Sequence, residues 1–177
     1  TNNGQVFDLS HMQPISLDLT LVIDEVTYSF KAKVTFSSHC YTDSTQDQNH
    51  PFFLHTDGTG HRYVCMDRLE LSKQVPKLVS DLFQDNQSCY RLKEGGNFVR
   101  IRYMAPKDRF AGLYLFFSYE NTNDESCLLR INVGSYHRRT SRPGNVRSDN
   151  LVRAKDLLRE WILKRDNVVD RLKSTQK

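Results

Sequence analysis

The segment Gly134-Ser135-Tyr136-His137-Arg138-Arg139 puts a hydroxyl, a phenol, an imidazole and two guanidiniums in one short run. That combination suits a phosphodiester. Cleaving RNA without a metal takes a base for the 2′-hydroxyl proton, an acid for the leaving oxygen and fixed cations for the charge that develops on phosphorus. His61, His137 and Tyr136 are the groups able to exchange protons. Arg62, Arg68, Lys73, Arg100, Arg102, Arg138 and Arg139 are able to supply charge. Each also has a structural reading: Tyr136 as a packing residue, His137 as a solvated ring, the arginines as a wet sheet edge.

Other chemistries find less support. His39, His50, His55 and His61 crowd together with Cys40 and Cys65, which raises zinc, but His39 and Cys40 are adjacent and lack the short paired spacing that a tetrahedral site uses. No metal or cofactor is expected. There is no phosphate-cradling glycine loop, nucleophile elbow, metalloprotease pair or dinucleotide fingerprint, and no convincing carboxylate set for two-metal hydrolysis. Cys40, Cys65, Cys89 and Cys127 are far apart and read as reduced, buried side chains.

The net charge of +4 conceals a division. Residues 1–129 carry 12 basic against 16 acidic side chains, a net of −4, while residues 130–177 carry 13 against 5, a net of +8. A basic closing third points to a polyanionic partner, RNA ahead of DNA, or to an acidic protein, with Arg142, Arg147 and Arg153 extending the surface begun by Arg100, Arg102, Arg138 and Arg139. A solvated helix surface explains the same charge. No run approaches the roughly 18 apolar residues of a membrane span, and no basic start precedes an apolar stretch at the N-terminus. A cytoplasmic protein without a membrane partner is the expectation.

The elements that would position these groups follow from periodicity. Ile15–Val22 and Tyr28–Phe36 alternate as a hairpin around Asp24-Glu25. A long polar loop is expected from Ser37 to Gly60. A helix is expected from Ser72, as N-cap, to Phe83, with Pro76 in its first turn. Strands are expected over Cys89–Leu92, Phe98–Tyr103, Gly112–Tyr119 and Leu128–Tyr136, with Gly95-Gly96 and residues 121–124 as turns. After a linker over 141–148, a helix capped by Ser148 or Asp149 runs to about Leu172 on a stripe of Leu151, Ala154, Leu158, Trp161, Val168 and Leu172. The expected architecture is α+β: a mainly antiparallel sheet with one inserted helix and one long C-terminal helix. Residues 1–140 form the sheet unit, and 141–177 the linker and basic helix of the same domain.

Phe7-Asp8-Leu9-Ser10-His11, Val34-Thr35-Phe36-Ser37-Ser38-His39-Cys40-Tyr41-Thr42 and Arg68-Leu69-Glu70-Leu71-Ser72-Lys73-Gln74-Val75-Pro76 together resemble a family of uncharacterised bacterial proteins from prophages and mobile elements. The resemblance covers most of residues 7–137. More weakly, the order of an Arg68 helix, an aromatic strand, an apolar strand and a strand ending in Gly134-Ser135-Tyr136 is similar to the Barnase-EndoU-Colicin-RelE group of small toxin ribonucleases. That similarity implies catalytic roles for Arg68, Ser135 and Tyr136, although Leu69 stands where the group often has a histidine. Two functional expectations result. One is a nucleic-acid-directed protein of a mobile element or phage-defence system, in its sharpest form a metal-independent toxin ribonuclease. The other is a non-enzymatic binding or regulatory protein whose basic C-terminal helix docks nucleic acid or an acidic protein. A zinc-organised interaction module is a third.

Overall fold

A computed structural model describes residues 6–50, 52–91, 97–102, 112–139 and 151–174. Its first two strands, β1 (Ile15–Ile23) and β2 (Val26–Phe36), are the hairpin that the alternation predicts, in register from Ile15↔Val34 to Ile23↔Val26. Asp24 and Glu25 both hold positive φ, 49° and 65°, the left-handed pair whose twist suits a two-residue hairpin turn. Leu17, Leu19, Leu21 and Ile23 share the buried face with Tyr28, Phe30, Ala32 and Val34. The opposite face is wet, with Lys31 and Asp18 paired across the strands at 2.6 Å.

The hairpin opens a seven-stranded sheet in the order β1-β2-β9-β8-β7-β6-β10. The other members are β6 (Ser88–Arg91), β7 (Asn97–Arg102), β8 (Gly112–Glu120), β9 (Leu129–Arg139) and β10 (Leu151–Arg153). Every pairing is antiparallel except β2 with β9, which run parallel from Ala32↔Leu129 to Phe36↔Val133. The α+β class with a mainly antiparallel sheet therefore stands. The sequence elements Gly95-Gly96, residues 141–148 and the capping pair Ser148 and Asp149 lie outside the described residues.

One face of this sheet carries the helices. Helix α2 (Val75–Gln84) has Pro76 in its first turn, where no amide is needed, and buries Val75, Val79, Leu82 and Phe83. Ser72 does not cap it. Ser72 ends a separate helix, α1 (Met66–Ser72), is fully buried, and donates from Oγ to the Leu69 carbonyl at 2.7 Å while meeting His11 Nε2 at 2.7 Å. The hydroxyl is thus spent on the helix interior and on the N-terminal segment.

The expected single C-terminal helix is a strand followed by two helices, α3 (Ala154–Leu163) and α4 (Asp166–Ser174). Leu151, assigned to the apolar stripe, is 55% exposed, because β10 pairs with β6 and turns Val152 inward opposite Cys89. Arg165 divides the helices. Its guanidinium lies 4.0 Å over the Trp161 ring and donates to the Trp161 carbonyl at 2.8 Å, while its own carbonyl accepts the amides of Val168 and Val169. Ala154, Leu157, Leu158, Ile162, Val168 and Leu172 join the same core as the hairpin.

The expected long loop is also structured. A 3₁₀ turn at Ser38–Cys40 leads into a second sheet of order β3-β5-β4, made from β3 (Thr42–Asp43), β4 (Phe52–Asp57) and β5 (Gly60–Val64). Its polar composition hid it because this small sheet buries little: along β4 no residue is fully buried. Among the described residues, no helix is long and apolar enough to cross a membrane.

Candidate functional site

The run Gly134–Arg139 lies in β9, an interior strand and not a sheet edge. Only one of its flanks is strand-paired, however. β2 ends at Phe36, opposite Val133, so beyond that point β9 is bonded to β8 alone, and the 3₁₀ turn and α1 pack beside it. Ser37 N–H donates to the Val133 carbonyl at 2.9 Å, and the Cys40 thiol approaches the same oxygen at 3.7 Å.

A bulge decides what each side chain does. Phe117 pairs with Val133 and Phe116 with Ser135, so Gly134 has no partner residue across the ladder. The extra residue inverts the alternation. Leu129, Ile131 and Val133 point into the core before it, and Tyr136 after it. Ser135, His137 and Arg139 consequently share the face opposite Tyr136 with Phe116 and the buried Tyr114 and Gly112 of β8, their register partners.

On this open face the sheet divides into two halves. Around β1, β2 and the start of β9 each cation meets a carboxylate: Lys31 with Asp18 at 2.6 Å, Lys33 with Asp124 at 3.0 Å, Arg130 with Glu120 at 2.5 Å. Toward the other edge, register aligns Leu151, Tyr90, Phe98, Phe116 and Ser135 in one row. The next rows align Arg100 with Tyr114 and His137, and Arg102 with Gly112 and Arg139. Arg153 of β10 lies opposite Ser88. No Asp or Glu occupies any of these positions.

Within this half, the Phe116 ring stacks on His137 with centroids 5.7 Å apart and planes 17° apart, and the Arg139 guanidinium lies 5.9 Å from the same ring. Tyr114 stacks on Phe116 at 6.3 Å and is 1% exposed. Burial pushes the His137 imidazole down to about 4, with the Arg68 and Arg139 guanidiniums adding to the effect and Asp43 opposing it. The ring is therefore neutral at physiological pH, and its Nδ1 is buried without a hydrogen-bond partner among the described residues.

The other expected site residues separate. Tyr136 is 0% exposed, and its hydroxyl is buried without a partner among the described residues. It sits on the far face from His137, so the two cannot serve one phosphate. Arg138 follows Tyr136 in the alternation and is exposed on that side. Arg68 donates to the Thr42 carbonyl at 2.7 Å and the His39 carbonyl at 3.4 Å and forms an ion pair with Asp43. Arg62 is 6% exposed and donates to Thr42 Oγ1 and to the Thr42 carbonyl, both at 3.1 Å. Both guanidiniums fasten β3. Lys73 pairs with Glu70 at 2.5 Å. His61 lies near the tip of the β4–β5 hairpin, in contact with Thr56 Oγ1 at 2.9 Å and the Phe53 ring. Arg153 is exposed and donates to the Asn86 carbonyl at 3.3 Å. Arg142 and Arg147 lie outside the described residues.

The cations of the C-terminal helices do not join the open face. Arg171 donates to the carbonyls of Thr122 at 2.9 Å, Asp124 at 3.2 Å and Cys127 at 2.6 Å, and Arg165 is spent on Trp161. Sequence reasoning overlooked Tyr90, Tyr114 and Phe116 as companions of the arginines. The signal was present in the alternation of β8, but assigning its face required the register across Gly134.

Residues 1–162 match the model of the YjaZ family. The chain belongs to that family. No curated protein and no solved structure matches it significantly. For this YjaZ-family chain, the geometry of the open face is therefore the principal guide to function. Among the described residues, no group of three or more His, Cys, Asp or Glu side chains is arranged to hold a metal ion.

Proposed function

We propose that the protein binds single-stranded nucleic acid, RNA in preference to DNA, across the arginine-bearing half of its sheet, from β9 to β10. One observation carries this reading. Strand register lines up Arg100, Arg102, Arg139 and Arg153 with Tyr90, Phe116 and His137 at strand positions that hold no Asp or Glu among the described residues, while Asp18, Asp124 and Glu120 of the neighbouring half each pair with a cation. Guanidiniums interleaved with aromatic rings on an exposed sheet suit a flexible strand: the cations follow phosphates and half-buried rings such as Phe116 accept a stacked base. A duplex, whose bases are already stacked, gains only the charge term.

Binding is a better fit than cleavage. The Tyr136 phenol, one of the groups expected to exchange protons, is turned into the core, and Arg68 already spends its donors on the His39 and Thr42 carbonyls and the Asp43 carboxylate. His137 alone keeps the ribonuclease reading open, since a neutral imidazole between guanidiniums is able to accept a proton.

Fluorescence anisotropy with a labelled single-stranded RNA, the same DNA sequence and an RNA duplex is the direct test. The expected result is affinity in the order single-stranded RNA, single-stranded DNA, duplex, falling steeply with salt. Phe116→Ala combined with Arg139→Ala should weaken single-strand binding by roughly tenfold to a hundredfold, from about 1–3 kcal/mol for stacking plus the lost phosphate contact. Equal binding by that variant removes the proposal. Total RNA incubated with the protein in chelator should stay intact; cleavage abolished by His137→Ala would establish the ribonuclease reading instead.

A further inference from the structure

A second constellation lies at the junction of the small sheet and α1, and the nucleic-acid reading does not use it. Cys65 precedes α1, and its Sγ lies 3.0 Å from His50 Nε2. The other ring nitrogen, Nδ1, lies 3.0 Å from Asp47 Oδ1, close enough to pair though not aligned as a hydrogen bond. A thiol touching an imidazole whose far nitrogen meets a carboxylate has the order of groups that activates a cysteine nucleophile. Fixed loop contacts hold the third member in place: the Asn49 amide donates to Asp47 Oδ1 at 2.7 Å, and the His50 amide to the Asp47 carbonyl at 3.1 Å.

The remaining cysteines provide an internal contrast. The contacts of the Cys40, Cys89 and Cys127 thiols are main-chain carbonyls, at 3.7, 3.5 and 3.8 Å from the oxygens of Val133, Val152 and Asp124. Burial drives Cys40 and Cys89 up to about 12. Burial also raises the Cys65 thiol, with Asp43 and Asp67 adding to it, while the Arg68 amide and guanidinium act in the opposite direction, the guanidinium as it does at Cys40; what sets Cys65 apart is its contact with an imidazole.

We propose that Cys65, with His50 as its base and Asp47 orienting that base, is a reactive thiol site for small hydroperoxides. The size of the substrate follows from exposure: Cys65 is only 4% accessible, which excludes a polypeptide or nucleic-acid chain and admits a molecule of the size of hydrogen peroxide. His50 Nε2 takes the thiol proton, and Sγ attacks the distal peroxide oxygen. The S–O bond forms as the O–O bond breaks, and the departing oxygen collects the proton from His50. Sulfur is oxidised by two electrons to the sulfenic acid and the hydroperoxide is reduced to water or alcohol. The charges of Arg68 and Asp43, whose ion pair holds β3 against α1, act on this sulfur.

The full-length protein is exposed to limiting hydrogen peroxide with a 1,3-dicarbonyl trap for sulfenic acid, and labelling of all four cysteines is followed by peptide mass spectrometry. Cys65 should label at least about tenfold faster than Cys40, Cys89 and Cys127, and His50→Gln should remove most of that advantage. Asp47→Asn, which keeps an oxygen for the Asn49 amide, gives a second variant should the histidine change disturb folding, with melting and circular dichroism as controls. Asp47→Asn should slow Cys65 labelling severalfold while leaving the other three unchanged. Labelling of Cys65 no faster than the other thiols, or unaltered in both variants, overturns the proposal.

Discussion

Tyr136 and His137 are neighbours in sequence with opposite fates, and each makes a prediction at the level of one side chain. The Tyr136 hydroxyl is buried without a hydrogen-bond partner among the described residues, a state that costs about 1–3 kcal/mol relative to a satisfied or absent polar group. Tyr136→Phe is therefore expected to hold or raise the melting temperature and to leave nucleic-acid binding unchanged. Were Tyr136 a catalytic acid, the same change would abolish activity. His137 is held neutral in the folded protein, about 4 against the ordinary 6.5. The unfolded chain takes up the proton first as pH falls, so this residue contributes stability above about 6.5 that drains away down to about 4. Between pH 7 and 5 the loss is about 2 kcal/mol at 1.36 kcal/mol per unit. His137→Gln should flatten that part of the denaturation profile, and a profile identical to wild type would refute the assignment.

At the scale of elements, the hairpin turn invites a direct experiment. Glu25 holds a φ of 65° that a side chain resists and glycine adopts freely. Glu25→Gly, giving the Asp-Gly pair favoured in such turns, should stabilise the protein by about 0.5–1 kcal/mol in chemical denaturation. The hairpin itself was legible because its alternation is strict over both strands and each buries one face. So were β6, β7, β8 and β9. The C-terminal stripe misled for a definable reason: Ala154, Leu158, Val168 and Leu172 are buried at helical spacing on both sides of the break, and the sequence pattern does not register that Arg165 folds onto Trp161 and interrupts the ladder between them. Ser72 misled similarly, since a serine before a helix reads as a cap, whereas here its hydroxyl serves the end of α1 and His11. The small sheet was missed because polar, lightly buried strands have no apolar alternation to detect.

For the molecule as a whole, the site was half legible. Residue types at the end of β9 pointed to a cationic surface, but which of them share a face depended on the unpaired Gly134, a one-residue offset visible only in the pairing of β8 with β9. The charge asymmetry of the chain was real and yet located wrongly. Several of the closing third's cations are engaged within the fold, Arg171 on three carbonyls of the loop before β9, Arg165 on Trp161 and Arg130 on Glu120. The rows of strand positions that hold arginines and no Asp or Glu among the described residues are assembled across β6 to β10. A net charge summed along the sequence counts all cations equally, while the fold commits some to packing and leaves others at the surface.

The lone parallel seam, residues 32–36 against 129–133, also governs how this chain comes into being. Its halves are separated by most of the polypeptide, so loop closure must be met before the contact repays it. During synthesis the hairpin emerges with one flank of β2 unclaimed, and that flank stays open until residues 129–133 have also left the ribosome. A strand made before its neighbour must therefore wait for it across the whole intervening stretch.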